Sequence, residues 1–338
     1  MTTSAPVPAL DRDMIARLRA DVIASSWTTD TLDELLSDGA LSALMRDSRL
    51  PALVELAGVD APAATLTRFF IGGQPERASA LDAALPTLGV AGLETLGLAA
   101  TIDEDEAASA LVMPRPCSKS APKRERAQAS EGEEASFPTA PALPTMRDPD
   151  EESEPEVVAD PWMRALYDLR PHAAQLHGGL KNWWILSDLG EDVTGEPIRP
   201  DHVLGIGGAT TSLLKATLRT PVESALDLGC GCGIQALYLA THATRVVATD
   251  LSSRACEITR FNAALNGVEL DVRKGSLFEP VEGEEFDLIA SNPPFVITPD
   301  SLRSSGVLEY RDGGMSRDHL VRTVIRESPK YLKPGGVV

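Results

Sequence analysis

Beyond Asp201 the chain alternates short apolar runs with amphipathic stretches, the pattern of a parallel sheet with helices on both faces. Residues 224–228, 245–249, 269–273 and 286–291 read as strands, and 208–218, 234–241, 253–266 and 316–331 as helices. Ala255, Ile258, Phe261 and Leu265 share one face of the 253–266 helix, and Gly267 supplies its stop. Thr210 or Thr211 is placed to cap the helix opening at Gly208. The expected fold of residues 201–338 is α/β, a Rossmann-like doubly wound sheet.

The first half has a different rhythm. Residues 11–25 place Met14, Ile15, Leu18, Val22 and Ile23 on a helical stripe. Shorter helices are expected at 31–44, 51–56, 63–71, 78–85 and 90–96, making residues 1–113 a helical bundle or a helix-turn-helix-like module. Residues 114–160 are dominated by Pro, Ser, Ala, Glu and Lys, with too little apolar surface to order themselves, and read as a disordered insertion. Strands at 163–169 and 182–187 then form a β-hairpin around Gly178 and Gly179, placed with its linker at residues 161–200. A helical module finished by a hairpin resembles a winged helix. The hairpin reads equally as a substrate-recognition element or as a packing cap over the second domain. Neighbouring strand residues face opposite ways, so one of Trp183 and Trp184 is expected in the core and the other at an interface or in solvent.

Composition narrows the setting. The 338 residues suffice for two domains, and 43% hydrophobic content fits a globular protein. No apolar run approaches the roughly 20 residues of a membrane span, so no membrane partner is expected. A formal net charge of -19 argues against indiscriminate binding to a polyanion, although much of the acid sits in residues 148–156. Cys117, Cys230, Cys232 and Cys256 make no disulfide framework, so a reducing cytoplasm is the default compartment. Cys230 and Cys232 lack metal-ligand spacing and read as small residues filling a tight loop; no metal is expected.

Two motifs carry chemistry. The first strand ends in Asp227-Leu228, followed by Gly229, Gly231 and Gly233 at alternate positions. Glycines let the backbone turn sharply and approach a ligand without Cβ clashes, a pattern shared by several kinds of nucleotide fold. The next strand ends in Asp250-Leu251. The strand at 286–291 ends in Asn292-Pro293-Pro294-Phe295. An amide or exocyclic amino nitrogen is a poor nucleophile because its lone pair is delocalised. The Asn292 side-chain oxygen and the Pro293 carbonyl can accept its N–H groups and hold the lone pair toward an electrophile. Neither proline carries a competing N–H, and Phe295 offers a flat face for a planar group.

A glycine turn followed two strands later by Asn-Pro-Pro-aromatic resembles the class I S-adenosylmethionine (SAM)-dependent methyltransferases that modify planar nitrogens. Asn292-Pro-Pro-Phe-Val-Ile-Thr-Pro299, with Asp312-Gly-Gly314 before a helix, is similar to the release-factor glutamine N5-methyltransferases. The likeness extends to the small-domain enzymes acting on ribosomal RNA guanine, and it covers roughly residues 203–338. In overall layout the chain looks like two-domain methyltransferases of high-GC bacteria. The resemblance implies SAM as cofactor. Asp227 would meet its ammonium group, Gly229, Gly231 and Gly233 its backbone, and Asp250 its two ribose hydroxyls, with Leu251 beside Asp250. Thr210 would border the methionine end and Asn262 would buttress the cofactor loops. Family members often carry an acid where this chain has Ser276, so Ser276 and Leu277 are the expected but divergent adenine contacts. Asn292, Pro293, Pro294 and Phe295 would form the catalytic turn.

The resemblance leaves the acceptor open between a protein glutamine amide, as in release factors, and an adenine N6 or guanine N2 of RNA or DNA. Residues 333–338 enter the fifth of the seven strands usual in this fold, so an incomplete C-terminus is expected, and a non-catalytic SAM-binding or interaction module is a third reading.

Overall fold

The computed structural model describes residues 6–46, 48–111, 160–176, 178–293 and 319–338. The expected insertion at 114–160 falls outside them except for Asp160, as do Pro294, Phe295, Asp312-Gly-Gly314 and Cys117.

Helices α1 (Arg12–Ala24), α2 (Thr29–Leu35), α3 (Asp38–Leu44), α4 (Leu50–Glu55), α5 (Pro62–Leu66), α6 (Ala78–Ala84), α7 (Gly89–Thr95) and α8 (Glu104–Ala110) make up the first half. Asp11 caps α1 by accepting from the Asp13 and Met14 amides. Ile15, Leu18 and Val22 are buried as the stripe predicts, but Ile23 is 54% exposed. The helix expected over 31–44 is two helices. Ser37 caps α3, and the Glu55 carboxylate holds both its amide and its hydroxyl, so the chain turns at Leu36. The 63–71 helix begins as α5 and widens into a π-helical turn, Thr67–Ile71.

Strands β1 (Glu76–Arg77), β2 (Ala99–Ile102) and β3 (Trp162–Ala165) form a small antiparallel sheet in the order β1-β3-β2. The strand expected at 163–169 is therefore split, with β3 in this sheet and β4 (Asp168–Leu176) paired with β5 (Gly179–Ser187) in the hairpin. Both tryptophans of β5 are buried, Trp183 at 1% and Trp184 at 4% exposure, because the hairpin is covered on both faces. Trp183 packs edge-on against Tyr238, while the Trp184 indole N–H donates to the Trp27 carbonyl.

The main sheet is parallel, in the order β10-β9-β6-β7-β8, from β6 (Val222–Leu228), β7 (Ala243–Asp250), β8 (Asp271–Lys274), β9 (Phe286–Ser291) and β10 (Leu332–Val337). Helices α9 (Glu191–Thr194), α10 (Gly208–Ala216), α11 (Ile234–Leu239), α12 (Ser253–Asn266) and α13 (His319–Glu327) join two 3-10 turns, Glu279–Val281 and Ser328–Tyr331. This is the expected doubly wound fold. Successive strands run from β6 outward through β7 to β8, whereas β9 lies on the other side of β6. The winding direction changes between β6 and β9, and such a point opens a crevice at the carboxyl ends of the strands.

One apolar cluster includes Trp27, Phe70, Trp184, Leu186, Ile258 and Phe261, so the helical half, the hairpin and α12 share a core. A polar row along α12 locks the hairpin edge. Asn266 accepts from the Trp184 amide (3.0 Å) and donates to its carbonyl (2.8 Å). Asn262 does the same for Leu186, at 2.8 and 2.9 Å. Four helical residues rise about 6 Å and two strand residues about 6.6 Å, so the i,i+4 asparagines keep step with alternate residues of the strand. Among the described residues no helix is long and apolar enough to cross a membrane.

Candidate functional site

Register fixes the crevice. Leu228 lies beside Ser291 and Asp227 beside Ala290, so β6 and β9 end level and Gly229 and Asn292 leave the sheet side by side. The Ser291 hydroxyl donates to the Leu228 carbonyl (2.8 Å), joining the two strand ends.

After β6 the backbone turns through three left-handed glycines, Gly229 (φ 81°), Gly231 (φ 54°) and Gly233 (φ 81°). They serve different ends. A Cβ on Gly233 would come within 2.8 Å of Thr259, so this position is closed by packing against α12. A Cβ on Gly229 or Gly231 would meet no atom within 4 Å, leaving open space over the turn. Gly207 and Gly208, at the start of α10, border similar open space. The Gly229 and Cys230 amides donate to the Thr249 carbonyl, and Asn262 donates to the Cys232 carbonyl (2.8 Å). Asn262 therefore supports the glycine turn as expected and also holds the hairpin. Cys230 and Cys232 are buried in the loop, where burial pushes the Cys232 thiol up to about 11.

Asp250 ends β7 beside this turn. One carboxylate oxygen accepts the Gly231 amide and the other the Ser252 amide, each at 2.9 Å. Burial raises its pKa against the lowering effect of these N–H groups. The α12 cap falls to Ser252, which accepts from the Ala255 amide. Asp250 is thus oriented with lone pairs to spare, as a ligand for hydroxyl groups requires. Its neighbour Leu251 is 50% exposed, a free apolar surface at the crevice edge.

Asp227 is more secluded. It is 1% exposed and accepts the Ala236 amide (2.9 Å) near the start of α11. Burial pushes its pKa up to about 7, with a smaller contribution from the Asp250 charge and opposed by the Ala236 hydrogen bond.

The loop after β8 is tied to Asp250, whose carbonyl accepts the Gly275 amide. Ser276 donates its amide to Glu279 (3.3 Å), and Leu277 takes a left-handed φ of 49°, a conformation costing a β-carbon residue on the order of 1 kcal/mol.

Thr210 and Thr211 do not cap α10. Gly207 holds the N-cap position without a side-chain bond, and the Thr211 hydroxyl donates to the Gly207 carbonyl from inside the helix. Thr210 instead lies between two elements. Its carbonyl accepts from Gln235 (3.1 Å), and its hydroxyl meets the Asn292 amide nitrogen at 3.5 Å, the limit of a hydrogen bond. Asn292 is exposed and Pro293 half-buried.

The described residues thus gather Thr210, Asp227, Gly229, Gly231, Gly233, Asp250, Leu251, Ser276, Leu277, Asn292 and Pro293 around the carboxyl end of the sheet. Sequence reasoning missed Gln235, Asn266 and Arg254. For Arg254 and Asn266 the available signal was the polar residues Arg254, Asn262 and Asn266, spaced at multiples of four along a helix that also carries an apolar face.

Comparison with known proteins agrees with this geometry. Residues 206–305 match the family described as methyltransferase small domain, and residues 24–110 match a domain of unknown function, DUF7059. The release factor glutamine methyltransferase of Geobacter sulfurreducens is 38% identical over 132 residues, which cover 36% of this chain and 46% of that protein. Ribosomal RNA small subunit methyltransferase C of Alcanivorax borkumensis is 33% identical over 113 residues, covering 33% of this chain and 30% of that protein. Thus the chain spans less than half the length of either relative. The solved 16S rRNA N2 methyltransferase of T. thermophilus, in complex with AdoMet and guanosine, superposes with a TM-score of 0.34 at 17% identity, covering 54% of this chain and 47% of that one. That likeness is too slight to carry an argument. Residues 206–305 are thus similar to a methyltransferase small domain, borne on a longer chain.

Proposed function

We propose that this chain is a SAM-dependent N-methyltransferase whose acceptor is a glutamine side-chain amide in a protein. The observation that carries the reading is the level ending of β6 and β9, with Gly229 and Asn292 leaving the sheet together. The site residues fit SAM: open space over Gly229 and Gly231, an oriented carboxylate at Asp250, and exposed apolar surface at Leu251. Bound there, SAM would supply a sulfonium-activated methyl group, transferred as the carbon–sulfur bond breaks toward sulfur and a carbon–nitrogen bond forms.

The chain's own part is positioning. Asp250 would accept the ribose hydroxyls, and ionised Asp227 would sit behind the ammonium group. With its amide nitrogen toward Thr210, Asn292 has its side-chain oxygen available for an acceptor N–H. Holding that N–H leaves the nitrogen lone pair directed at the methyl carbon, a gain from orientation rather than acid–base chemistry. The methylated nitrogen then releases its proton to water.

The similarity to a release factor glutamine methyltransferase and the charge of -19 favour a protein acceptor. The similarity to a ribosomal RNA methyltransferase supports an RNA base as the second reading. Incubating the protein with methyl-labelled SAM and cell extract, then digesting with protease or nuclease, separates the two. Label released by protease alone is the expected result. Release by nuclease alone would transfer the assignment to a nucleic-acid base.

A further inference from the structure

A buried charge contact near the site belongs to neither the glycine turn nor Asn292. Arg254 stands four residues after Asp250 on α12 and is 3% exposed. Its guanidinium grips Asp188, with Nε at 2.9 Å from Oδ2 and Nη2 against Oδ1, and also donates to the Tyr167 hydroxyl at 2.8 Å. Tyr167 donates in turn to the Pro6 carbonyl. Asp188 follows β5 directly and is 8% exposed at its side chain. Its Oδ2 accepts the Val203 amide (2.9 Å), while its own amide donates to the Val203 carbonyl (3.0 Å). Asp188 and Val203 thus form a two-way clasp. From Val203 the chain runs directly through Gly205 and Gly207 to Thr210, the segment read as bordering the methionine end of SAM.

A buried ion pair is weak evidence for stability, since desolvating both partners offsets much of their attraction. It is strong evidence of fixed geometry, because a forked guanidinium on a carboxylate admits few arrangements. We infer that Arg254 is a positioning residue for the cofactor site. Through Asp188 it sets residues 203–210 against α12, so that the Asp250 side and the methionine side of the site keep a fixed spacing. The contact also makes the hairpin strand β5, which ends at Asp188, part of the cofactor site's frame. The inference rests on the SAM reading above.

The test uses two ligands that share the adenosine and S-methyl groups but differ in the amino-acid end and, with it, the sulfonium charge. SAM reaches both sides of the site, whereas 5′-methylthioadenosine lacks the amino-acid end and reaches only the Asp250 side. Calorimetry on the parent, Arg254→Lys and Asp188→Asn is the measurement. Both variants keep a partner in place: lysine keeps the charge, and asparagine keeps an acceptor for the Val203 amide. The expected result is SAM affinity lower by about tenfold in each variant with methylthioadenosine affinity changed less than about twofold; tenfold is about 1.4 kcal/mol. Equal loss for both ligands, or loss for neither, overturns the inference. Failure of the parent itself to bind SAM would instead sink the reading on which it rests. Should either variant melt early, Tyr167→Phe removes one guanidinium contact while leaving the ion pair, and should give a smaller loss confined to SAM.

Discussion

Replacing Asp227 with asparagine removes one ionisable group from the centre of the sheet at almost no change in shape. Its carboxyl is 1% exposed, and burial lifts its pKa from 3.8 to about 7. The folded chain therefore holds this proton more tightly than the unfolded chain does. Stability is highest below the unfolded pKa and falls as pH rises toward the folded one. Above about pH 8 the deficit is constant. The gap of about 3 pH units corresponds to about 4 kcal/mol, an upper bound because water and local relaxation soften burial. Asparagine keeps an acceptor for the Ala236 amide and has no such deficit. Urea unfolding at pH 6 and pH 8 gives the comparison, with all other titrations common to both proteins. The advantage of Asp227→Asn should grow by about 1–1.5 kcal/mol between the two pH values and stay flat above pH 8. A difference that does not change with pH would show that Asp227 titrates normally and that the buried-carboxyl account is wrong. The same substitution should weaken SAM binding at pH 8, since a neutral amide replaces the anion facing the ammonium group.

Asp250→Ala should weaken SAM binding by about 1–3 kcal/mol, the loss of charge-assisted hydrogen bonds, read by calorimetry. Asn266→Ala orphans the buried Trp184 amide and should cost about 1–3 kcal/mol in denaturant unfolding, without changing methylthioadenosine affinity beyond a few-fold. Gly233→Ala meets Thr259 at 2.8 Å on a left-handed backbone and should lower stability by about 1–3 kcal/mol, whereas Gly231→Ala, with open space around it, should cost less and show mainly as lost SAM affinity.

What was legible in the sequence was local. The glycine turn, Asp250 and the strand before Asn292 each announce themselves within a few residues, and the parallel sheet follows from their alternation. The small sheet of β1, β2 and β3 was not legible, because a two-residue strand and Ala99–Ile102 carry almost no period-two signal. The β3–β4 break was hidden for a related reason: residues 163–169 read as one alternating run, and only distant partners divide them. Strand geometry gives Trp183 and Trp184 opposite faces but not what covers each. Arg254 and Asp188 lie 66 positions apart, and nothing local links them. The Asn262 and Asn266 ladder has the same character: helix and strand periods happen to be commensurate, which only the folded chain reveals.

The central claim is that Asn292 holds an acceptor nitrogen against a methyl group bound over the neighbouring glycine turn. Single-turnover methyl transfer from labelled SAM to the protein fraction of a cell extract, measured for the parent and Asn292→Ala beside a SAM titration, tests it most directly. The account predicts SAM affinity within a few-fold of the parent and transfer slower by about 100-fold or more, about 2.7 kcal/mol of transition-state stabilisation. Parental turnover in the variant would contradict the account, leaving Asn292 as a structural turn residue and removing the basis for a planar nitrogen as the acceptor.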